Sequence, residues 1–278
     1  MRLIARRIRT TYWRPGHNYL KTIVDAVGDS CENGDVIAIS EKAVSVALGR
    51  VVDEAHVQPG LLARILAKFW MRFVWGRILG PLCGFKRKTV WRLKRYPIRE
   101  GSVHKQTTIQ HVGLWQSLLH YSEGGIDVTN LPFAFAALPL DDANEVARTV
   151  FDAVVERTGK GITLMLTDTD KTYSWHGFHL TPRKTAVPGI RTLGLLALMI
   201  GRVSKWKARA TPLAVCGREL SLEETLAAAD VADRRMGHGA GRTVWDMARR
   251  FRVGLANVTW DMLESVPHYP IVIVRKID

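Results

Sequence analysis

The sequence predicts an α+β protein with helices packed on mixed β-sheets, and three features predict it. Val36-Ile37-Ala38-Ile39 and Leu164-Met165-Leu166 are short, wholly apolar runs, as in strands buried on both faces. Residues 18–27, 139–158 and 221–235 have helical periodicity and start signals. Pro270-Ile271-Val272-Ile273-Val274-Arg275 closes the chain as a strand. The 278 residues, 47% hydrophobic and 24% charged, suffice for one large unit or two small ones with a real core.

Residues 3–13 read as a first strand that turns at Arg14-Pro15-Gly16. A helix follows from Asn18 to Val27, capped by Asn18, with Leu20, Ile23, Val24 and Val27 on one face. Gly34-Asp35 turns into the Val36–Ser40 strand, and Lys42 to Leu48 continues as helix or strand before Gly49-Arg50. From Leu61 to Leu79 the pattern is an amphipathic helix with Arg64, Lys68 and Arg72 four apart on one face. A core-facing helix with a solvated basic face explains it; a surface for phosphates or anionic lipid is the alternative. Lys86-Arg87-Lys88, Arg92, Lys94, Arg95 and Arg99 extend the basic character. Residues 139–158 form a helix with Asp141 and Asp142 favouring its N-terminus. Leu193 to Val203 is a buried helix or strand. Ser221-Leu222-Glu223-Glu224 is a capping box that opens a helix through Arg235, and residues 244–264 are again helical. No internal repeat or low-complexity linker interrupts the chain.

Forty basic against 26 acidic side chains give a net charge of +14, which favours an anionic partner without naming it. Cys31, Cys83 and Cys216 are isolated, with no CxxC pair, which suggests neither a zinc ribbon nor a disulfide framework and fits a reducing cytoplasm. The basic N-terminus lacks the apolar centre of a signal peptide. Leu193 to Ile200, the longest apolar run, is too short to span a bilayer.

Two acidic stretches are candidates for phosphate chemistry. Gly124-Gly125-Ile126-Asp127-Val128-Thr129-Asn130 combines close backbone approach with a carboxylate, a hydroxyl and an amide. Thr163 to Asp170 reads as a buried strand that ends abruptly in Thr and Asp, where carboxylates can hold a hard cation against phosphate oxygens. Taken alone, Asp127 is better explained as a turn aspartate bonding its own backbone. Met236-Gly237-His238-Gly239-Ala240-Gly241-Arg242-Thr243 is a plain helix C-cap or a phosphate cradle. His176 and His179 have no third ligand nearby and read as surface or packing histidines.

Four pieces in order resemble the GTP-dependent γ-glutamyl ligases that add glutamate to the coenzyme F420 precursor. They are Asp35 to Ser45 closing on Gly49-Arg50, Gly125 to Asn130, Thr167-Asp168-Thr169, and Pro270 to Arg275. They touch most of the chain except about 59–105, a basic amphipathic helical insertion, and about 239–265, a second insertion in a single unit over 1–278. The resemblance implies a ligase-like α+β fold in a two-lobed homodimer. It implies that Asp127 and Asp168 ligate a divalent metal, Mg²⁺ or Mn²⁺, with Thr169 near a second ion. His238 falls where a metal-binding amide is usual. It places Thr10, Thr11, Tyr12 and Trp13 in a nucleotide-contacting turn and implies that Asn130 contacts the nucleotide, with Gly237 and Gly239 in the nucleotide loop. The family's nucleotide-contacting Ser and Lys fall on Glu41 and Val46. Lys42, Lys171 and Arg242 are placed by their charge, rather than by the family, to clamp phosphate oxygens.

The function expected is a metal- and GTP-dependent acid–amino-acid ligase, cytoplasmic, that forms an amide through an acyl phosphate on a small anionic substrate. A non-ligating nucleotide or phospho-metabolite binder of the same fold is the first alternative. The second is a basic-surface protein that meets nucleic acid or anionic membrane through residues 61–99.

Overall fold

The computed structural model describes residues 2–121 and 123–277, so Met1, Ser122 and Asp278 of the 1–278 unit lie outside the described residues. The strands are β1 (Arg2–Thr10), β2 (Val36–Ser40), β3 (Val51–Asp53), β4 (Phe135–Ala137), β5 (Thr163–Trp175), β6 (Phe178–Thr181), β7 (Arg191–Thr192), β8 (Lys207–Gly217) and β9 (His268–Ile277). The large sheet runs β1-β9-β2-β5-β6-β7, with β8 also paired to β5, while β3 and β4 form a separate ribbon. Pairs β2–β5 and β6–β7 are parallel and the others antiparallel, so the sheet is mixed.

Burial on both faces explains the apolar runs. Ile37, Ile39, Leu164, Leu166, Ile271 and Ile273 face helices 19–27 and 143–158, which contribute Ile23, Val27, Val150 and Val154. Val36, Ala38, Met165, Val272 and Val274 face helix 222–236 through Ala228, Ala229 and Ala232. Each large aliphatic residue buried in these layers stabilises the fold by about 1.5–3 kcal/mol, and alanines on helix 222–236 let it approach the sheet closely.

The start signals form as read. Asn18 accepts from Lys21 N, and Ser221 and Glu224 complete a reciprocal capping box. Four expectations need correction. The first strand ends at Thr10, before Tyr12 and Trp13. Strand β5 does not stop at Asp168 but runs to Trp175, with register irregularities between Leu166 and Thr167 and between Asp168 and Lys171. Its polar residues face the cavity described below, so their pattern resembles a loop. Residues 244–264 split into helices Val244–Phe251 and Trp260–Glu264, divided where Arg252 turns left-handed. Residues 61–79 are α-helical only to Ile65, and Leu66–Leu79 is a wider π-helix.

The basic helical segment 61–99 packs on the far end of β5. Ala67, Met71, Trp75, Leu93 and Tyr96 meet Tyr173 and Leu198. Gly76 permits this packing, since a Cβ there would lie 2.9 Å from the Lys94 backbone nitrogen. Helix Ile98–Val112 follows and packs on the helices at 61–65 and 66–79. Among the described residues no helix is long and apolar enough to cross a membrane.

Candidate active site

Parallel pairing of β2 with β5 aligns Ser40 with Thr167, so the helix starting at Glu41 begins level with Asp168. Carboxyl ends of parallel strands are the usual place for ligands in sheets of this kind. A cavity of about 760 Å³ opens there, lined by the strand ends, residues 125–135, the loop 236–245 and part of helix 98–112. Its size is within the range of ligand-holding clefts.

Asp127 is held at the cavity edge by backbone bonds in both directions with Ala137 of β4. Its carboxylate accepts from Thr129 N at 2.7 Å, Thr129 Oγ1 at 2.9 Å and Lys42 Nζ at 2.8 Å. Burial alone would raise this carboxyl, but Lys42 and the Thr129 donors outweigh burial and hold it below the ordinary range. The turn-aspartate reading of Asp127 and its place at the cavity are both realised.

Asp168 is met by a residue the sequence reading missed. Arg183 is buried, with its Nε 3.1 Å from Asp168 Oδ2, an ion pair without hydrogen-bond alignment. It donates from Nη2 to Glu41 Oε1 at 2.8 Å and from Nη1 to the Gly124 carbonyl. Burial pushes the Glu41 carboxyl up, against the pull of Arg183; Glu41 also accepts from Leu140 N at 2.7 Å. Gly125 lies under the guanidinium: its φ is +99°, and a Cβ would fall 1.0 Å from Arg183 Nη1. The Gly-Gly pair therefore serves an internal cation as well as a turn.

Asn130 organises the glycine-rich loop. Its Oδ1 accepts from Ala240 N at 2.6 Å, and its Nδ2 donates to the carbonyls of His238 and Gly241 at 3.2 and 3.3 Å. Tyr12 donates its hydroxyl to the Asn130 carbonyl. Lys171 pairs with Asp233 at 2.8 Å beside this loop. Partial burial and the charges of Arg242, Lys171 and Lys42 lower the His238 imidazole, against the pull of Asp233.

Tyr12, Trp13, Glu41, Lys42, Asp127, Asn130, Asp168, Thr169, Gly237, His238, Gly239 and Arg242 all line the cavity. Thr10 and Thr11 do not; they border a shallow depression beside Tyr12 and Glu264, and Thr10 Oγ1 donates to the Thr11 carbonyl. The opposite wall carries a second network absent from the sequence reading. His104 lies 2.8 Å from Glu54 Oε1 and 3.1 Å from Glu123 Oε2, and Lys105 Nζ donates to Glu123 Oε1 at 2.6 Å. Burial opposes the His104 charge, but Glu123 and Glu54 raise its pKa to about 10. Glu123 immediately precedes the Gly-Gly pair, the one available signal for this wall.

The metal implied by the resemblance can be tested on these donors. Carboxylate and hydroxyl oxygens suit a hard cation, but Asp127 already carries Lys42 and Asp168 carries Arg183. His238 stands among three basic side chains. Among the described residues no group of three or more His, Cys, Asp or Glu side chains is disposed to hold an ion. As assembled, the residues do not fit a resident metal centre, and ammonium and guanidinium groups neutralise the carboxylates instead.

Comparison with known proteins gives two findings. The family model described as F420-0:Gamma-glutamyl ligase matches residues 7–191. An uncharacterized protein of Methanocaldococcus jannaschii is 32% identical over 281 aligned residues, covering 96% of this chain and 94% of the relative.

Proposed function

The chain belongs to the F420-0:gamma-glutamyl ligase family, and from that premise we propose that it is a nucleotide-dependent acid–amine ligase. A carboxylate is a poor acyl donor. In the proposed reaction the terminal phosphoryl group of GTP passes to a carboxylate oxygen of a small anionic substrate, and the bridging oxygen leaves with GDP. The nitrogen of an amine, glutamate's by family analogy, then attacks the acyl carbon. Phosphate departs with the electrons of the carbon–oxygen bond, the nitrogen gives up a proton, and an amide remains. Such chemistry asks the protein mainly for positioning and charge neutralisation.

The observation that carries this reading is the gathering of Lys42, Lys171, His238 and Arg242 around one cavity beneath a glycine-rich loop. Lys42, Lys171 and Arg242 would meet phosphate oxygens as point charges or a fork. His238, whose surroundings disfavour its charged form, would take the proton released by the amine. Asp127 would orient Lys42, and Arg183 would keep Asp168 and Glu41 from repelling the nucleotide. A homodimer belongs to the same proposal by family analogy.

The test is phosphate release from GTP in the presence of glutamate and a panel of small carboxylates, with mass spectrometry of the amide. Release that depends on both partners and is lost in Lys171→Gln supports ligation. GTP binding without release across the panel would refute it in favour of a non-ligating binder. Glu41 and Val46 favour that second reading, since they stand where the family places a nucleotide-contacting Ser and Lys.

A further inference from the structure

The insertion leaves a surface that neither the cavity nor the fold uses. Residues 57–99 contain eleven Lys or Arg and no Asp or Glu, within a chain of net charge +14. Leu61, Ile65, Phe69, Phe73, Ile78 and Leu82 are each 43% to 77% exposed. Their spacing of four, four, four, five and four residues follows the wide turn of the π-helix, which brings residues four and five apart onto one line. Ala63, Ala67, Met71 and Trp75, opposite this line, are buried in the insertion's core. The helix is thus anchored on its inner side and apolar on its outer side. Arg64, Lys68 and Arg77 are exposed one position before Ile65, Phe69 and Ile78, so a cationic edge runs beside the apolar line. Phe69 and Phe73 stack at 5.4 Å, and the Arg77 guanidinium lies 5.8 Å from the Phe73 ring.

We propose that this face of residues 61–82 docks the protein on an anionic lipid bilayer. The helix lies in the plane of the interface, with its aliphatic and aromatic line among the acyl chains and its basic edge at the headgroups. A row of exposed Leu, Ile and Phe beside Lys and Arg is what such an interface rewards. Charge complementarity selects the occupant. A second copy would bring another segment without a single acid against this one, and the two would repel. Nucleic acid would neutralise the cations but gains little from the aliphatic line, since its affinity comes from phosphate contacts. The recurring cations, every four or five residues, also oppose crossing the bilayer and hold the helix at its surface.

Vesicle flotation of the full chain provides the test, with phosphatidylcholine vesicles containing about one third anionic lipid and vesicles of phosphatidylcholine alone. Binding to the anionic vesicles and not to the neutral ones is expected, weakening between roughly 0.1 M and 1 M salt. The double variant Phe69→Ser/Phe73→Ser removes apolar surface without disturbing buried contacts and should lower partition by at least about tenfold. Lys68→Gln should lower it by about fivefold, the factor expected for one cation at an anionic surface. Both variants should keep the wild-type circular dichroism and melting temperature. Three results would each overturn the proposal: no partition to anionic vesicles; full partition by the Phe69→Ser/Phe73→Ser variant; or a wild-type dimer, by sedimentation, that this variant dissociates. Binding to RNA as tight as to vesicles and insensitive to the phenylalanines would reassign the face to a polyanion and also overturn it.

Discussion

Replacing Arg183 by Met should expose how far the site depends on its internal cation. The guanidinium is 2% exposed and serves Glu41, Asp168 and the Gly124 carbonyl together. Methionine keeps much of the side-chain length but leaves Glu41, itself 2% exposed, with the Leu140 amide and no positive partner. Breaking a buried ion pair by removing one member costs about 3–5 kcal/mol, because the remaining charge is stranded. The pH dependence has a definite sign. Glu41 has a folded-state pKa raised above its ordinary 4.5, by burial. Its contribution to stability is therefore present below that value and lost as pH rises through the folded value. Loss of Arg183 strengthens the effect, so the destabilisation should be larger near pH 7.5 than near pH 5. Adding Glu41→Gln removes the stranded charge and should restore at least about 1–2 kcal/mol, a non-additive outcome. Urea denaturation of wild type, both single variants and the double variant at the two pH values measures every quantity. A loss below about 1 kcal/mol, a pH-independent loss, or strictly additive substitutions would refute the role assigned to Arg183.

Three further outcomes follow from the same geometry. Gly125→Ala should cost about 3 kcal/mol or more, because the residue sits at positive φ and Arg183 is pinned by two acceptors and the Asp168 ion pair and cannot yield; urea denaturation measures it, and a loss below about 1 kcal/mol would contradict the close approach. Lys42→Gln should cost about 1–3 kcal/mol and abolish GTP-dependent phosphate release, since Asp127 keeps the Thr129 donors but loses its cation. Asp127 has a depressed folded pKa, so the stability it contributes is present above 3.8 and lost as pH falls through the folded value. That acid loss should be smaller in Lys42→Gln, as denaturation on the acid side would measure. His104 has a folded pKa raised to about 10 from 6.5. Its stabilisation is complete below 6.5 and lost as pH rises toward about 10, so melting temperature should fall across that window and much less in His104→Gln.

Local signals were legible wherever the physics acts within a few residues. Asn18 and the Ser221–Glu224 box satisfy helix N-termini from adjacent side chains, and both caps form as read. The apolar runs of β2 and β9 specify strands because every residue there is buried on one face or the other. Strand β5 was half legible. Its apolar start was clear, but its continuation through Thr167-Asp168-Thr169-Asp170-Lys171 was hidden, since cavity-facing polar residues erase the alternation that marks a strand. The π-helix at Leu66–Leu79 escaped because a wheel drawn for an α-helix puts Phe73 opposite the Arg64-Lys68-Arg72 stripe, on the inner side, whereas Phe73 is exposed.

By itself the sequence determined the α+β class with mixed sheets, the family, the basic segment 61–99 and the acidic residues around which the cavity forms. Only the tertiary structure decided what those acids do. Lys42 reaches Asp127 because helix 41–47 starts at the end of β2, and Arg183 reaches Asp168 because the chain beyond β6 returns under the Gly-Gly turn. A carboxylate's character depends on the charge placed against it, and that charge comes from remote positions brought near by strand pairing. No local pattern of residues encodes such a meeting; the register of β2 on β5 does.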